Sequence, residues 1–433
     1  MPRSIATLRT DALAIYRAAL DGADPAAALT AALGEISPRA PVWIIAVGKA
    51  ARPTVAAALA TLERFPTPLR GGLVISPEST EDDSRLPHVR GDHPLPGSGS
   101  RAAASALSAV VAQVAPGDEV WVLLSGGATS LLGAPIEGVS DPDYRAFVET
   151  VGAAGLPIAG LNLLRKRFSR WGAGRLAVAL AAARVRVFAM SDVPGDDLAA
   201  IGSGPCVPDG SSASDVRSLL EQYGLTARLP LTIRRELDQV IAGQRPETPK
   251  PDAAAFRRVT SRIIGSNAIA LDRAAAHAAT LGYRVRRLPE PLVGDAAAAG
   301  ISLARLLVTT PLDGHPIAWL GGGETTVALG HRPGRGGRCQ ELALAAARNL
   351  TDAGADRSLV LLAGGTDGRD GPTDAAGAIV DPTTWPAIAA RGVDPELALR
   401  RHDAYPALDA VDGLIRIGLT GTNVMDVIVG LAG

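Results

Sequence analysis

Three short segments of this chain combine charge with glycine in patterns that suit anion chemistry. Gly48-Lys49-Ala50 follows the apolar run Val42–Val47 and precedes the alanine-rich stretch Ala51–Leu62. A lysine between a strand and a helix could reach an anion at the helix N-terminus, or simply stay solvated on its loop. Gly334-Arg335-Gly336-Gly337-Arg338 precedes a good helical stretch, Gln340–Leu350. Its glycines would let backbone approach a ligand, and its guanidinium forks match phosphate. In phosphoryl transfer such an arginine stabilises charge on the migrating group. Ser191-Asp192-Val193-Pro194-Gly195-Asp196-Asp197 places three carboxylates in one loop after a buried run. Oxygen donors at this density suit Mg²⁺; one could instead accept a hydroxyl proton, or cap a helix.

Other turns fall at similar places. Ser125-Gly126-Gly127-Ala128-Thr129-Ser130 offers N–H groups and hydroxyls that could cradle a carboxylate or phosphate, or form a plain connection. Gly202-Ser203-Gly204-Pro205 follows the aspartate loop, and Gly364–Asp374 is a second carboxylate-rich turn for metal, nucleotide or a tight aspartate turn. Among the six histidines no pair has metal-ligand spacing, and His93 in Gly91-Asp92-His93-Pro94 is expected to be structural. Two dinucleotide-like matches fail on context. Gly97-Ser98-Gly99 follows Pro94 and Pro96 instead of a strand, and Asp118 and Glu119 begin a strand where an acidic residue should end one. Gly172-Ala173-Gly174 also lacks a preceding strand. No Walker-type loop occurs, and the arginine-glycine run lacks the interleaved aromatics of a nucleic-acid binder.

The elements that must position these residues alternate between β-rich and helical runs, as in a parallel α/β sheet. Strands are expected at Val42–Val47, Gly72–Ile75, Val120–Leu124, Val185–Met190, Pro316–Leu320 and Ser358–Leu362. Arg262–Gly265, a helix Ala268–Leu281 and Tyr283–Leu288 read as one more strand–helix–strand unit, and Thr226–Arg258 as a surface excursion. The glycine turns sit at the carboxyl ends of strands, where open α/β sheets bind ligands. A chain of 433 residues suits two domains, taken as 1–305 and 306–433. With 43 basic against 44 acidic side chains, no field exists to hold nucleic acid nonspecifically. No apolar stretch approaches about 20 residues, so no membrane span is expected. Met1–Asp24 has no signal-peptide core, and two cysteines suit a reducing, cytoplasmic compartment.

Taken in order along nearly the whole chain, the segments resemble the glycerate 2-kinases that carry a C-terminal MOFRL domain. The resemblance rests on Val47-Gly-Lys-Ala50, Gly91-Asp-His-Pro94, Leu124-Ser-Gly-Gly127, Leu164-Arg-Lys166, Gly174-Arg-Leu-Ala177, Ser191–Asp197 and Gly202-Ser-Gly-Pro205. It continues through Gly322-Gly-Glu-Thr-Thr326, Gly334–Arg338 with Gln340-Glu-Leu-Ala-Leu344, Thr366–Val380 and Thr420-Gly-Thr-Asn423. It implies transfer of the ATP γ-phosphate to the 2-hydroxyl of D-glycerate with Mg²⁺. It also implies a Rossmann-like N-terminal domain, a smaller α/β C-terminal domain and an active site in the cleft between them. By position Lys49 matches the family's catalytic lysine and Arg338 its catalytic arginine. Asp192 matches its acidic loop residue, as base or metal ligand beside Asp196. Substrate contacts are expected from Gly48, Ser125, Gly126, Gly127 and Arg335, and nucleotide contacts from Gly204, Pro205, Thr366 and Asp367. Ala128-Thr129 departs from the family's usual glycine-serine continuation, which is expected to alter how the substrate carboxylate is held, and Cys339 stands where the family commonly has asparagine. The alternative reading is an NAD(P)H-dependent hydroxypyruvate reductase; assembly into a homo-oligomer is left open.

Overall fold

The computed structural model describes residues 3–78, 85–330, 333–352 and 357–433. The chain divides into two compact units, Pro25–Ile264 and Met1–Asp24 with Gly265–Gly433.

The first unit is built on strands β1 (Val42–Val47), β2 (Leu69–Ser76), β3 (His88–Arg90), β4 (Glu119–Leu124), β5 (Arg184–Met190) and β6 (Val259–Gly265), in the order β3-β2-β1-β4-β5-β6. The β3–β2, β2–β1, β1–β4 and β4–β5 pairs are parallel. Every residue of β1 and β4 is buried, which explains their near-continuous apolar sequences: both faces of a parallel sheet are covered. The strand order reverses between β1 and β4, the crevice where doubly wound sheets bind ligands.

The other unit has β7 (Arg284–Arg287), β8 (Ile317–Gly323), β9 (Leu359–Gly365), β10 (Gly377–Val380), β11 (Leu414–Ile415) and β12 (Asp426–Ala432), in the order β11-β10-β9-β12-β8-β7. Only β7 and β8 are parallel; the other pairs are antiparallel. β12 runs between β8 and β9 with Asp426 in register with both Gly323 and Gly365. Two strand ends and one strand start therefore meet at one sheet edge. The N-terminal helix Ile5–Gly22 belongs to this unit, where the buried Tyr16 hydroxyl donates to the Gly365 carbonyl at 2.6 Å.

Three expectations are corrected. The division falls at Gly265 with the first helix joining the C-terminal unit, not at residue 305. The expected unit 262–288 is split between the two sheets, because local periodicity does not say which sheet a strand enters: β6 lies beside β5, whereas β7 pairs with β8. The proline-rich 226–258 segment is more than an excursion, because helix Leu231–Ile241 buries Ile233, Leu237 and Val240.

Candidate active site

At the reversal point the turns after β1 and β4 brace each other. Lys49 N–H donates to the Gly126 carbonyl at 3.0 Å, and Ala50 N–H donates to Ser125 Oγ at 3.0 Å. Gly48 is required there: its φ is +127°, and a β-carbon would lie 2.1 Å from Ser125 Oγ. The Ser125 hydroxyl thus holds the lysine turn, which gives it a positioning role. Lys49 itself is half-buried, and among the described residues no carboxylate pairs with its ammonium. His93 closes on the same turn. A β-carbon on Gly127 would lie 3.0 Å from His93 Cδ2. Partial burial first, and the Lys49 charge second, hold the His93 pKa below its usual value. The helix after Gly127 is a single turn, Ala128–Leu131, and Thr129 Oγ1 lies 3.0 Å from Ser203 Oγ.

That contact ties the β5 loop to the β4 turn. Asp192 is half-buried, and Asp196 adopts a left-handed φ of 57° with its carboxylate bonded to no donor among the described residues. Asp197 forms an aspartate turn, its side chain accepting the Ala199 N–H at 2.9 Å. The Gly204 and Pro205 carbonyls accept from Gly174 and Leu176 N–H at 2.8 and 3.1 Å, so their carbonyls serve the fold. Among the described residues no group of three or more His, Cys, Asp or Glu could hold a metal ion. Two carboxylates completed by phosphate oxygens is the arrangement Mg²⁺ commonly takes.

In the other unit, Arg338 opens helix Arg338–Thr351 at the shared sheet edge. Its Nε and Nη2 donate to the two Asp426 oxygens at 2.6 and 2.9 Å, and Nη1 donates to Glu324 at 2.7 Å. Burial pulls the guanidinium pKa down, but the bonds and charges of Asp426 and Glu324 outweigh it and raise the net value. The N-terminus of this helix is already occupied. Asp370 accepts the N–H groups of Cys339 and Gln340 at 3.1 and 2.8 Å. A β-carbon on Gly337 would lie 2.2 Å from Asp370 Cγ, so this glycine admits an internal carboxylate and not a ligand. Burial pushes the Asp370 pKa up to about 7 against those two hydrogen bonds. Arg335 stacks over Tyr405 at 3.8 Å and lies 3.7 Å from Asp374. Thr366 is buried, with its hydroxyl spent on Met425 O and Val424 N–H, whereas Asp367 remains half-buried at the sheet edge.

Sequence reasoning missed Asp426, Glu324 and Asp370 as neighbours of Arg338. Glu324 and Asp370 lay within glycine turns already noticed, but Asp426 begins a strand that the sequence reading passed over. The dinucleotide candidate is filled from within: Asp92 Oδ2 accepts the Ser100 N–H at 3.1 Å at the start of helix Ser98–Val111. Asp118 and Glu119 bond the indole N–H groups of Trp43 and Trp121, both at 2.8 Å.

A parallel sheet whose strand order reverses beside a lysine with no carboxylate bonded to it among the described residues, and an α/β unit with a carboxylate-held arginine, make up a two-unit α/β protein. Residues 11–238 match the family model described as a domain of unknown function, DUF4147, and residues 317–426 match the MOFRL family. A glycerate 2-kinase of Pyrococcus horikoshii is 33% identical over 395 residues, covering 90% of this chain and 87% of the relative. A putative hydroxypyruvate reductase of Agrobacterium vitis is 35% identical, covering 95% and 92%. The crystal structure of glycerate kinase from Thermotoga maritima superposes with a TM-score of 0.86 at 33% identity, covering 99% of this chain and 100% of that one. The chain belongs to the glycerate 2-kinase family.

Proposed function

We propose that this chain transfers the γ-phosphoryl group of ATP to the 2-hydroxyl of D-glycerate, giving 2-phosphoglycerate and ADP. The observation that carries the reading is Lys49 at the β1–β4 reversal, braced by Ser125 and Gly126 and bonded to no carboxylate among the described residues. An ammonium so placed attracts an anion and offsets charge on the transferring group. Arg338, oriented by Asp426, is the second cation of the reaction. Asp192 and Asp196 offer oxygen donors only, which fits Mg²⁺; when bound, the ion would neutralise phosphate charge. Asp367 is assigned to the nucleotide. The reading includes a cytoplasmic location, supported by two buried cysteines kept as free thiols.

The test is product analysis by ³¹P NMR with D-glycerate, ATP and Mg²⁺. We expect glycerate-dependent ADP release with 2-phosphoglycerate as the product. Accumulation of 3-phosphoglycerate instead, or NADH-dependent hydroxypyruvate reduction without ADP release, would refute the reading. Lys49→Ala should retain the wild-type melting temperature and lose about two or more orders of magnitude in kcat.

A further inference from the structure

The loop after β3 brings an imidazole to the reversal point. The ring of His93 lies against the Gly127 α-carbon, its Nε2 3.3 Å from where a β-carbon would stand. The charged group that acts on it is Lys49, whose own N–H is fixed to Gly126. Its neighbour Asp92 is committed elsewhere, to the Ser100 N–H at 3.1 Å. The packed helix Ala128–Leu131 has no charged side chain. Among the described residues no carboxylate bonds to the imidazole. The residue is exposed, but the partial desolvation of its ring and the Lys49 charge both favour the neutral form. A neutral imidazole offers one acceptor nitrogen, and it stands near the Lys49 ammonium that would offset charge on the transferring group.

We propose that His93 is the proton acceptor for the substrate hydroxyl, an inference that rests on the kinase reading. The hydroxyl proton passes to the free ring nitrogen of His93 as the oxygen–phosphorus bond forms. The bond from the γ-phosphorus to the bridging oxygen breaks, and its electron pair leaves with ADP. The resulting imidazolium lies near the Lys49 ammonium, so it readily returns its proton to solvent. This leaves Asp192 the part of an oxygen donor and removes it from proton transfer.

The experiment compares wild type, His93→Gln and Asp192→Asn from about pH 5 to 9, measuring 2-phosphoglycerate formation. His93→Gln is expected to lower kcat by about 10²-fold or more and to abolish the acid limb of kcat/KM. Asp192→Asn is expected to keep that limb. An acid limb unchanged in His93→Gln, at whatever rate, overturns the proposal. A second measurement is independent of turnover and of that variant's folding. Imidazole NMR of the assigned His93 should titrate below about 6.5 in wild type and shift upward in Lys49→Met. A titration unmoved by Lys49→Met overturns the proposal as well. Failure of wild type to form 2-phosphoglycerate would instead defeat the kinase reading, and the NMR titration separates the two outcomes.

Discussion

Replacing Asp426 by asparagine removes a charge that holds Arg338 and leaves the volume unchanged. Asp426 is 6% exposed, Arg338 32% and Glu324 48% by side chain, so the two carboxylates differ in weight. The Glu324 contact is a surface pair worth about 0–1 kcal/mol. The Asp426 contact is bidentate and mostly shielded. Asparagine keeps one acceptor but turns an amide donor toward a guanidinium donor, so one charge-assisted bond is lost. Such a bond contributes about 1.5–3 kcal/mol, and water reaches a third of the arginine, which places the expected loss at about 2 kcal/mol. In a unit of about 190 residues this corresponds to a fall of about 4–8 °C in melting temperature, read by calorimetry. The kinetic effect follows from geometry. A guanidinium freed from one anchor is misplaced by about 1 Å, which lowers kcat by about 10²-fold with little change in the KM for D-glycerate. An Asp426→Asn variant that melts and turns over like wild type would refute the claim that Asp426 orients Arg338.

The helix cap Asp370 makes stability pH-dependent. Its folded pKa of about 7 lies above the ordinary carboxylate value, so the folded state binds the proton more tightly. Its contribution is therefore fully present below about pH 4 and is lost as pH rises toward 7, at about 1.4 kcal/mol per pH unit. Urea titrations at stepped pH should show this decline, and Asp370→Asn should flatten it; an unchanged slope would contradict the assignment. Gly337→Ala drives a β-carbon to within 2.2 Å of Asp370 Cγ and should lower unfolding free energy by about 1–3 kcal/mol, measured by the same titrations.

Much of the first unit was legible because its strands are buried on both faces and announce themselves as apolar runs. Val42–Val47 and the helix Ala51–Leu62 fall where the sequence places them. The turn between them was readable for the same reason: it closes a buried strand and opens a helix. What was illegible depends on pairing over long separations. Asp426 reaches Arg338 across 88 positions, and nothing local in Val424-Met425-Asp426-Val427 announces a charge in use. In the glycine loop much of the space is taken up from within the unit. Its spacing suggested room for phosphate, yet Gly337 makes room for Asp370, and Arg335 rests on Tyr405. His93 is expected from sequence to be structural, since no second histidine lies at metal-ligand spacing; the approach to Gly127 and Lys49 is what distinguishes it.

The two cations of the proposed reaction sit in opposite electrostatic surroundings. Lys49 brings one positive charge with no carboxylate bound to it among the described residues, so it attracts an incoming anion directly. Arg338 with Asp426 and Glu324 sums to one negative charge, which repels a polyphosphate until a carboxylate yields. The buried bidentate partner cannot yield cheaply, because leaving it uncompensated costs several kcal/mol. Glu324 can, since it makes one bond, is half exposed and is well hydrated once released. Phosphate oxygens would then take the Nη1 position that Glu324 vacates, while Asp426 keeps the guanidinium aligned. Glu324→Gln should accordingly lower the KM for ATP by about twofold to fivefold and leave kcat nearly unchanged. That factor corresponds to the roughly 0.4–1 kcal/mol of a surface ion pair no longer broken on binding. Asp426→Asn shows the inverse pattern, with kcat reduced and KM little moved. Initial-rate measurements at varied ATP distinguish the two, and a raised KM in Glu324→Gln would mean that Glu324 assists nucleotide binding instead of competing with it.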